Sequence, residues 1–144
     1  MRILALDVGD KTIGVAVSDE LFISANGVTT IERTGIRKDA SKVIDYVREY
    51  QCGEVVMGLP LRLAGSASPQ TETVREFRVM LENMMRSEGL ADVGIEFQDE
   101  RLTTVEADKV LIDADVSRKK RKQVIDKQAA VIILQAYLER RRHE

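Results

Sequence analysis

The chain has 144 residues, of which 44% are hydrophobic and 32% charged, with a net charge of −2; this is the size and balance of one globular domain and excludes a disordered or fibrous chain. The sole cysteine, Cys52, excludes an internal disulfide, and the sole histidine, His143, stands next to the end, which removes Ser-His-Asp and Cys-His nucleophile systems and the usual zinc ligands. No apolar run approaches the roughly 20 residues a bilayer helix needs, and the early acid Asp7 breaks any signal-peptide core, so a cytoplasmic location and no membrane partner are expected.

In chain order, Arg2–Val8 predicts a buried strand and Thr12–Ser18 a second, joined by the tight-turn chemistry of Gly9-Asp10-Lys11. Asn26–Glu32 favours extended backbone at Thr29, Thr30 and Ile31. Val43, Ile44 and Val47 space a helix over Asp39–Tyr50. Glu54–Met57 is a short strand before Gly58-Leu59-Pro60, followed by a small-residue loop, Leu61–Ala67. Ser68-Pro69 opens a helix striped by Val74, Phe77, Leu81, Met84 and Met85 and closed near Gly89. Gly94–Gln98 is a fifth strand; Thr103–Glu106 is a capping box for a helix to about Ala114. A last helix runs from about Lys122 to Arg142, with Ala129–Leu134 apolar nearly all round. Three meander strands followed by strands alternating with helices predict one α/β domain over 1–144: a mixed five-stranded sheet with helices packed on both faces.

Four features carry chemistry. Asp7 interrupts an apolar strand just before a glycine turn, where a carboxylate is costly unless paired or bound to a cation; the bland alternative is a turn-capping Asp. Asp99 and Glu100 end the fifth strand and point to opposite faces by alternation, so one of them can join Asp7; the residues alone leave open which, or whether Asp99 simply pairs with Arg101. Asp126 shares a helix face with Ala130, Ile133 and Tyr137, at the edge of a buried stripe, with Lys122 as an alternative structural partner. Arg118-Lys119-Lys120-Arg121-Lys122 crowds cations at the start of a helix, where the macrodipole disfavours them; phosphate binding accounts for that placement. Charge is uneven along the chain: residues 1–100 hold 11 Lys/Arg against 17 Asp/Glu, and 101–144 hold 11 against 7, so a basic face for a polyanion is compatible with a slightly acidic whole. With no Trp, three Phe and three Tyr, a stacking platform for unpaired bases is not expected. Convergent carboxylates without histidine suit Mg²⁺ or Mn²⁺, two ions about 3.5–4 Å apart, activating water and stabilising a leaving 3′ oxygen.

The stretches LALDVGDKTIGVAVSD, VVMGLPLRLAGSASPQTETVREF and DERLTTVEADKVL…SRKKRKQVIDKQAAVIILQAYL resemble, in order and over nearly the whole chain, the YqgF/RuvX family. The resemblance implies an RNase H-like fold related to RuvC resolvases. It implies a nuclease with catalytic and metal-binding acids at Asp7, Glu100 and Asp126, with Asp99 the fallback for Glu100, and nucleic-acid contacts at Lys11, Arg101, Arg118, Lys119, Lys120, Arg121 and Lys122. Thr12 stands where the family often has Arg. Members carry two namings, resolvase of four-way DNA junctions and nuclease maturing the 5′ end of pre-16S rRNA; the resemblance favours pre-rRNA in ribosome biogenesis, with branched DNA second and a non-catalytic rRNA-binding assembly factor third. Oligomeric state is left undetermined. Asp7-x-Gly9-x-x-x-x-Gly14 also resembles the first phosphate loop of actin-like ATPases, but 144 residues cannot supply the second lobe that closes over ATP.

Overall fold

The computed structural model describes residues 1–62, 64–99 and 118–143, with the helix alone described over 118–126. Its elements are β1 (Arg2–Val8), β2 (Thr12–Ser18), β3 (Ala25–Glu32), α1 (Ile36–Glu49), β4 (Cys52–Leu59), α2 (Pro69–Ser87), β5 (Gly94–Asp99) and α3 (Arg118–Arg142). The sheet order is β3-β2-β1-β4-β5. β1, β2 and β3 are antiparallel neighbours, whereas β4 lies parallel to both β1 and β5. The parallel pairs are reached through α1 and α2, the crossover connections such strands require.

β1 sits at the centre and is covered on both sides, which is why its sequence is a nearly unbroken apolar run. Leu4, Leu6 and Val8 enter a large core with Ile13, Val15, Val43, Ile44, Val55, Met57, Phe77 and Leu81 beneath α1 and α2. Ile3 and Ala5 face the other way and pack with Ala16 and Val56 against Ala130, Ile133, Leu134 and Tyr137 of α3. Each large side chain fully buried in such a core contributes roughly 1.5–3 kcal/mol of transfer free energy. Helices therefore cover both faces of a five-stranded mixed sheet, as expected.

α2 begins where Ser68-Pro69 predicts: the Ser68 hydroxyl accepts the Thr71 N–H, the Thr71 hydroxyl accepts the Ser68 N–H at 2.9 Å, and Thr71 also donates to the Pro60 carbonyl. Gly89, at φ 80°, follows its C-terminus in the left-handed conformation that glycine adopts without strain. Three elements depart from expectation by two residues or more. α1 starts at Ile36, three residues before Asp39, behind a Gly35 that offers no side-chain cap. β4 extends from Cys52 to Leu59 because it is paired on both sides. α3 starts at Arg118 rather than near Lys122, so the basic run lies inside the helix. The helix expected from Thr103 lies outside the described residues.

Candidate active site

Alternation along β1 fixes the side on which Asp7 stands. Ile3 and Ala5 pack under α3, so Asp7, two further on, belongs to the α3 side, while Leu6 and Val8 enter the opposite core. Asp7 is half-buried and lies near the end of β1. Its pairing partner on β2 is Gly14. On β4 the parallel register, Leu6 with Met57, carries Asp7 beside Gly58 at the next step, and Gly58 pairs with Gln98 of β5. The row across the sheet is therefore Thr30, Gly14, Asp7, Gly58, Gln98. A carboxylate flanked by two residues without side chains stands in a shallow depression, which leaves room for a hydrated cation and a phosphate.

Gln98 borders that depression. Its Nε2 donates to the Asp99 carbonyl at 3.5 Å, but its Oε1 is buried and accepts no hydrogen bond from the described residues. A buried, unpaired amide oxygen costs about 1–3 kcal/mol unless a partner arrives, and a carbonyl-type oxygen is a good ligand for a hard divalent cation. The chemistry of the row thus fits a divalent ion. Sequence reasoning missed Gln98; the signal that finds it is the pairing register, through Val56 with Glu96 and Gly58 with Gln98.

Asp99 pairs with Leu59, which packs into the α1/α2 core. Asp99 is therefore on the α1/α2 side of the sheet, opposite to Asp7. Lys11 is exposed in the turn that follows β1, at the same end of the sheet as Asp7. Glu100, Arg101 and the side chains of Arg118, Lys119, Lys120, Arg121, Lys122 and Asp126 lie outside the described residues. Among the described residues no three His, Cys, Asp or Glu side chains converge on a metal-sized site.

The turn beneath Asp7 is held from a distance. The Gly9 N–H donates to the Thr12 carbonyl at 2.9 Å. Arg33, leaving β3, donates from Nη1 to the Gly9 carbonyl and from its backbone N–H to the Lys11 carbonyl, both at 2.9 Å. Arg33 is itself anchored by Asp39, Nε to Oδ2 at 3.0 Å, and Asp39 Oδ1 also accepts the Thr34 N–H at 3.0 Å. Burial raises the Asp39 pKa, but the Thr34 hydrogen bond and the Arg33 hydrogen bond and charge outweigh it, so the carboxyl titrates below its ordinary range.

The family model RuvX, described as Holliday junction resolvase, matches residues 1–140. The chain belongs to the RuvX family. Curated relatives agree over almost the full length of both chains. One from Clostridium tetani, named "Putative pre-16S rRNA nuclease", is 48% identical over 139 residues, covering 96% of each. One of the same name from Moorella thermoacetica is 50% identical over 142 residues, covering 97% of this chain and 96% of the relative. Among solved structures, Thermus thermophilus RuvC in complex with Holliday junction substrate superposes with a TM-score of 0.58 at 12% identity, covering 99% of this chain and 96% of that one. The fowlpox virus resolvase bound to Holliday junction DNA gives 0.57 at 10%, covering 97% and 98%. At such identities the likeness is one of fold, the RNase H-like fold of RuvC-type resolvases. As a member of the RuvX family the chain is a nuclease, a hydrolase of phosphodiester bonds, and such nucleases use divalent metal ions. Among the described residues no helix is long and apolar enough to cross a membrane.

Proposed function

We propose that this chain, as a single domain over 1–144, cleaves the phosphodiester backbone of pre-16S ribosomal RNA near its 5′ end, in the cytoplasm, with Mg²⁺ or Mn²⁺ held by Asp7, Glu100 and Asp126. The observation that carries it is the position of Asp7, half-buried between Gly14 and Gly58 on the α3 side of the central strand, in a chain about half identical to relatives named as pre-16S rRNA nucleases. Held by these carboxylates, two divalent ions would activate a water and stabilise charge on the phosphate. Asp7 holds its carboxylate at a fixed point on the most constrained strand of the sheet. The alternation that puts Asp99 on the side of Leu59 favours Glu100 as its partner. Asp126 comes from α3, one turn before Ala130, which is packed on the sheet. Gln98 Oε1 offers a neutral oxygen to the same depression.

Arg118, Lys119, Lys120, Arg121 and Lys122 occupy the first turns of α3, which carry no acid. Cations there oppose the helix dipole, and phosphates of the substrate supply the compensating charge. Lys11, in the turn after β1, and Arg101, soon after β5 in the sequence, would add further phosphate contacts. In the reaction the water oxygen adds to phosphorus, the P–O3′ bond breaks, and the 3′ oxygen takes up a proton. The products are a 5′-phosphate and a 3′-hydroxyl.

The test is cleavage of a labelled pre-16S 5′ leader RNA and of a four-way DNA junction, with Mn²⁺ or with EDTA, by wild type and Asp7→Asn. The reading expects metal-dependent cutting of the leader and none by Asp7→Asn. Cutting of the junction alone makes branched DNA the substrate. Metal-independent RNA binding without cleavage makes the chain an assembly factor, and equal cutting by Asp7→Asn removes the carboxylate mechanism.

A further inference from the structure

We propose that Lys127 is a substrate-positioning residue: a phosphate-binding cation aimed by a notch at Gly27 and separate from the basic run at the start of α3. The notch is a feature of the β3 edge. The β2–β3 register shifts between Val15 and Ala16, and Gly27 then pairs with Ala16, which packs under α3. Lys127, on α3, lays its stem across this glycine. A Cβ built on Gly27 would stand 2.9 Å from Lys127 Cγ, 3.0 Å from Cδ and 3.3 Å from Cε. Three successive carbons in contact mean that the stem runs along the strand surface, and only a residue without a side chain admits it there.

A lysine on an exposed helix face ordinarily keeps its rotamer freedom, and ordering such a side chain costs up to about 2 kcal/mol. Here the stem is already packed and the residue half-buried, so much of that entropy is lost before any ligand binds. Among the described residues Lys127 has no carboxylate partner. A preorganised cation is suited to an anion that comes from outside. Its position says which anion. Ala16 pairs with Ala5, the residue before Asp7 on the same face of β1. Standard strand and residue spacings then put Gly27 about 12 Å from Asp7, within a few nucleotides' reach along one nucleic-acid strand. Stem packing alone, with the ammonium reaching past it into water, explains the burial but not the lack of an acidic partner among the described residues.

This inference rests on the nuclease reading, and the experiment separates the two. Binding of labelled pre-16S 5′ leader RNA is measured in EDTA across a range of salt for wild type, Lys127→Met, Lys127→Arg, Gly27→Ala and the Gly27→Ala/Lys127→Met double variant. Methionine retraces the Lys stem without its charge. The expected result is roughly two- to five-fold weaker binding by Lys127→Met and a salt slope reduced by about 0.7, one phosphate's worth. Lys127→Arg restores the slope. Gly27→Ala weakens binding while Lys127 is present and has no further effect once it is Met, the signature of a coupled pair. With metal present, KM rises in Lys127→Met and kcat is retained. An unchanged slope and affinity in Lys127→Met overturns this proposal and leaves the nuclease reading intact; failure of wild type to bind any nucleic acid overturns both.

Discussion

Arg33 holds Asp39 across the junction of β3 and α1, Nε to Oδ2 at 3.0 Å, with the Asp39 side chain wholly shielded from solvent. The same guanidinium reaches the Gly9 carbonyl and lies over the Phe77 ring, 5.5 Å from its centre. One ion pair thus fastens the turn after Asp7 to the main core. Removing Asp39 leaves a buried guanidinium uncompensated, which typically costs 3–5 kcal/mol. Asp39→Ala is therefore expected to unfold at much lower urea, and to lose activity before it loses its fold. Because the folded-state pKa of Asp39 is depressed, its contribution is complete above the ordinary carboxylate pKa and is lost as pH falls through the lowered folded value. The stability gap between wild type and Asp39→Asn should shrink in acid. A gap independent of pH would mean that the carboxylate's charge contributes nothing.

Glu100→Gln and Asp99→Asn should behave as opposites. With Asp99 on the side of Leu59, Asp99→Asn is expected to cut RNA at close to the wild-type rate. Glu100→Gln should fall by at least about 10²-fold in kcat/KM, the scale of losing a group that acts on the metal or its ligands. The reverse ranking would assign the site to Asp99.

Gln98→Leu should separate stability from activity. It removes the buried Oε1 that has no partner among the described residues, so its unfolding free energy is expected to hold or rise, by up to about 1–3 kcal/mol. If Gln98 lends that oxygen to the metal or the phosphate, the Mn²⁺ concentration for half-maximal cleavage rises. A variant that is less stable and equally active would make Gln98 a packing residue only.

The Cys52 thiol is buried and pushed up to about 11 by desolvation, against weaker opposing charge from Arg2 and the N-terminus. Thiolate is the reacting form. Iodoacetamide at pH 8 should leave the native protein unmodified and label it fully in urea, and rapid native labelling would show that the first residues of β4 open.

The architecture was readable from residues because the elements carry clear local signals: the turn at Gly9-Asp10-Lys11, the Ser68-Pro69 start, and the stripe from Val74 to Met85. Helix starts without such signals were not. Gly35 has no side chain to cap α1, and the basic run hides the beginning of α3 because it has neither a cap residue nor an apolar period. The identity of the acid that accompanies Asp7 was also hidden. β5 is an edge strand that alternates Ile95 and Phe97 with Glu96 and Gln98, which groups Asp99 with the apolar residues but does not say on which side of the sheet they lie. Its pairing with β4 does. The contact of Lys127 with Gly27 is a relation between a helix and a strand a hundred residues earlier in the chain, and no local pattern records it.

The two faces of the sheet are unequal in bulk. Under α1 and α2 lie leucine, isoleucine, methionine and phenylalanine, whereas the α3 side of the neighbouring strands β1, β2 and β3 presents, beyond Ile3, the small residues Ala5, Gly14, Ala16 and Gly27. The larger core lies on one side, and on the other the bulk comes from α3, through Ile133, Leu134 and Tyr137, more than from the strands beneath it. Because α3 rests directly on these small residues, enlarging any of them would crowd the helix, as a Cβ on Gly27 would crowd Lys127; the distance between α3 and the sheet is thus set by glycine and alanine.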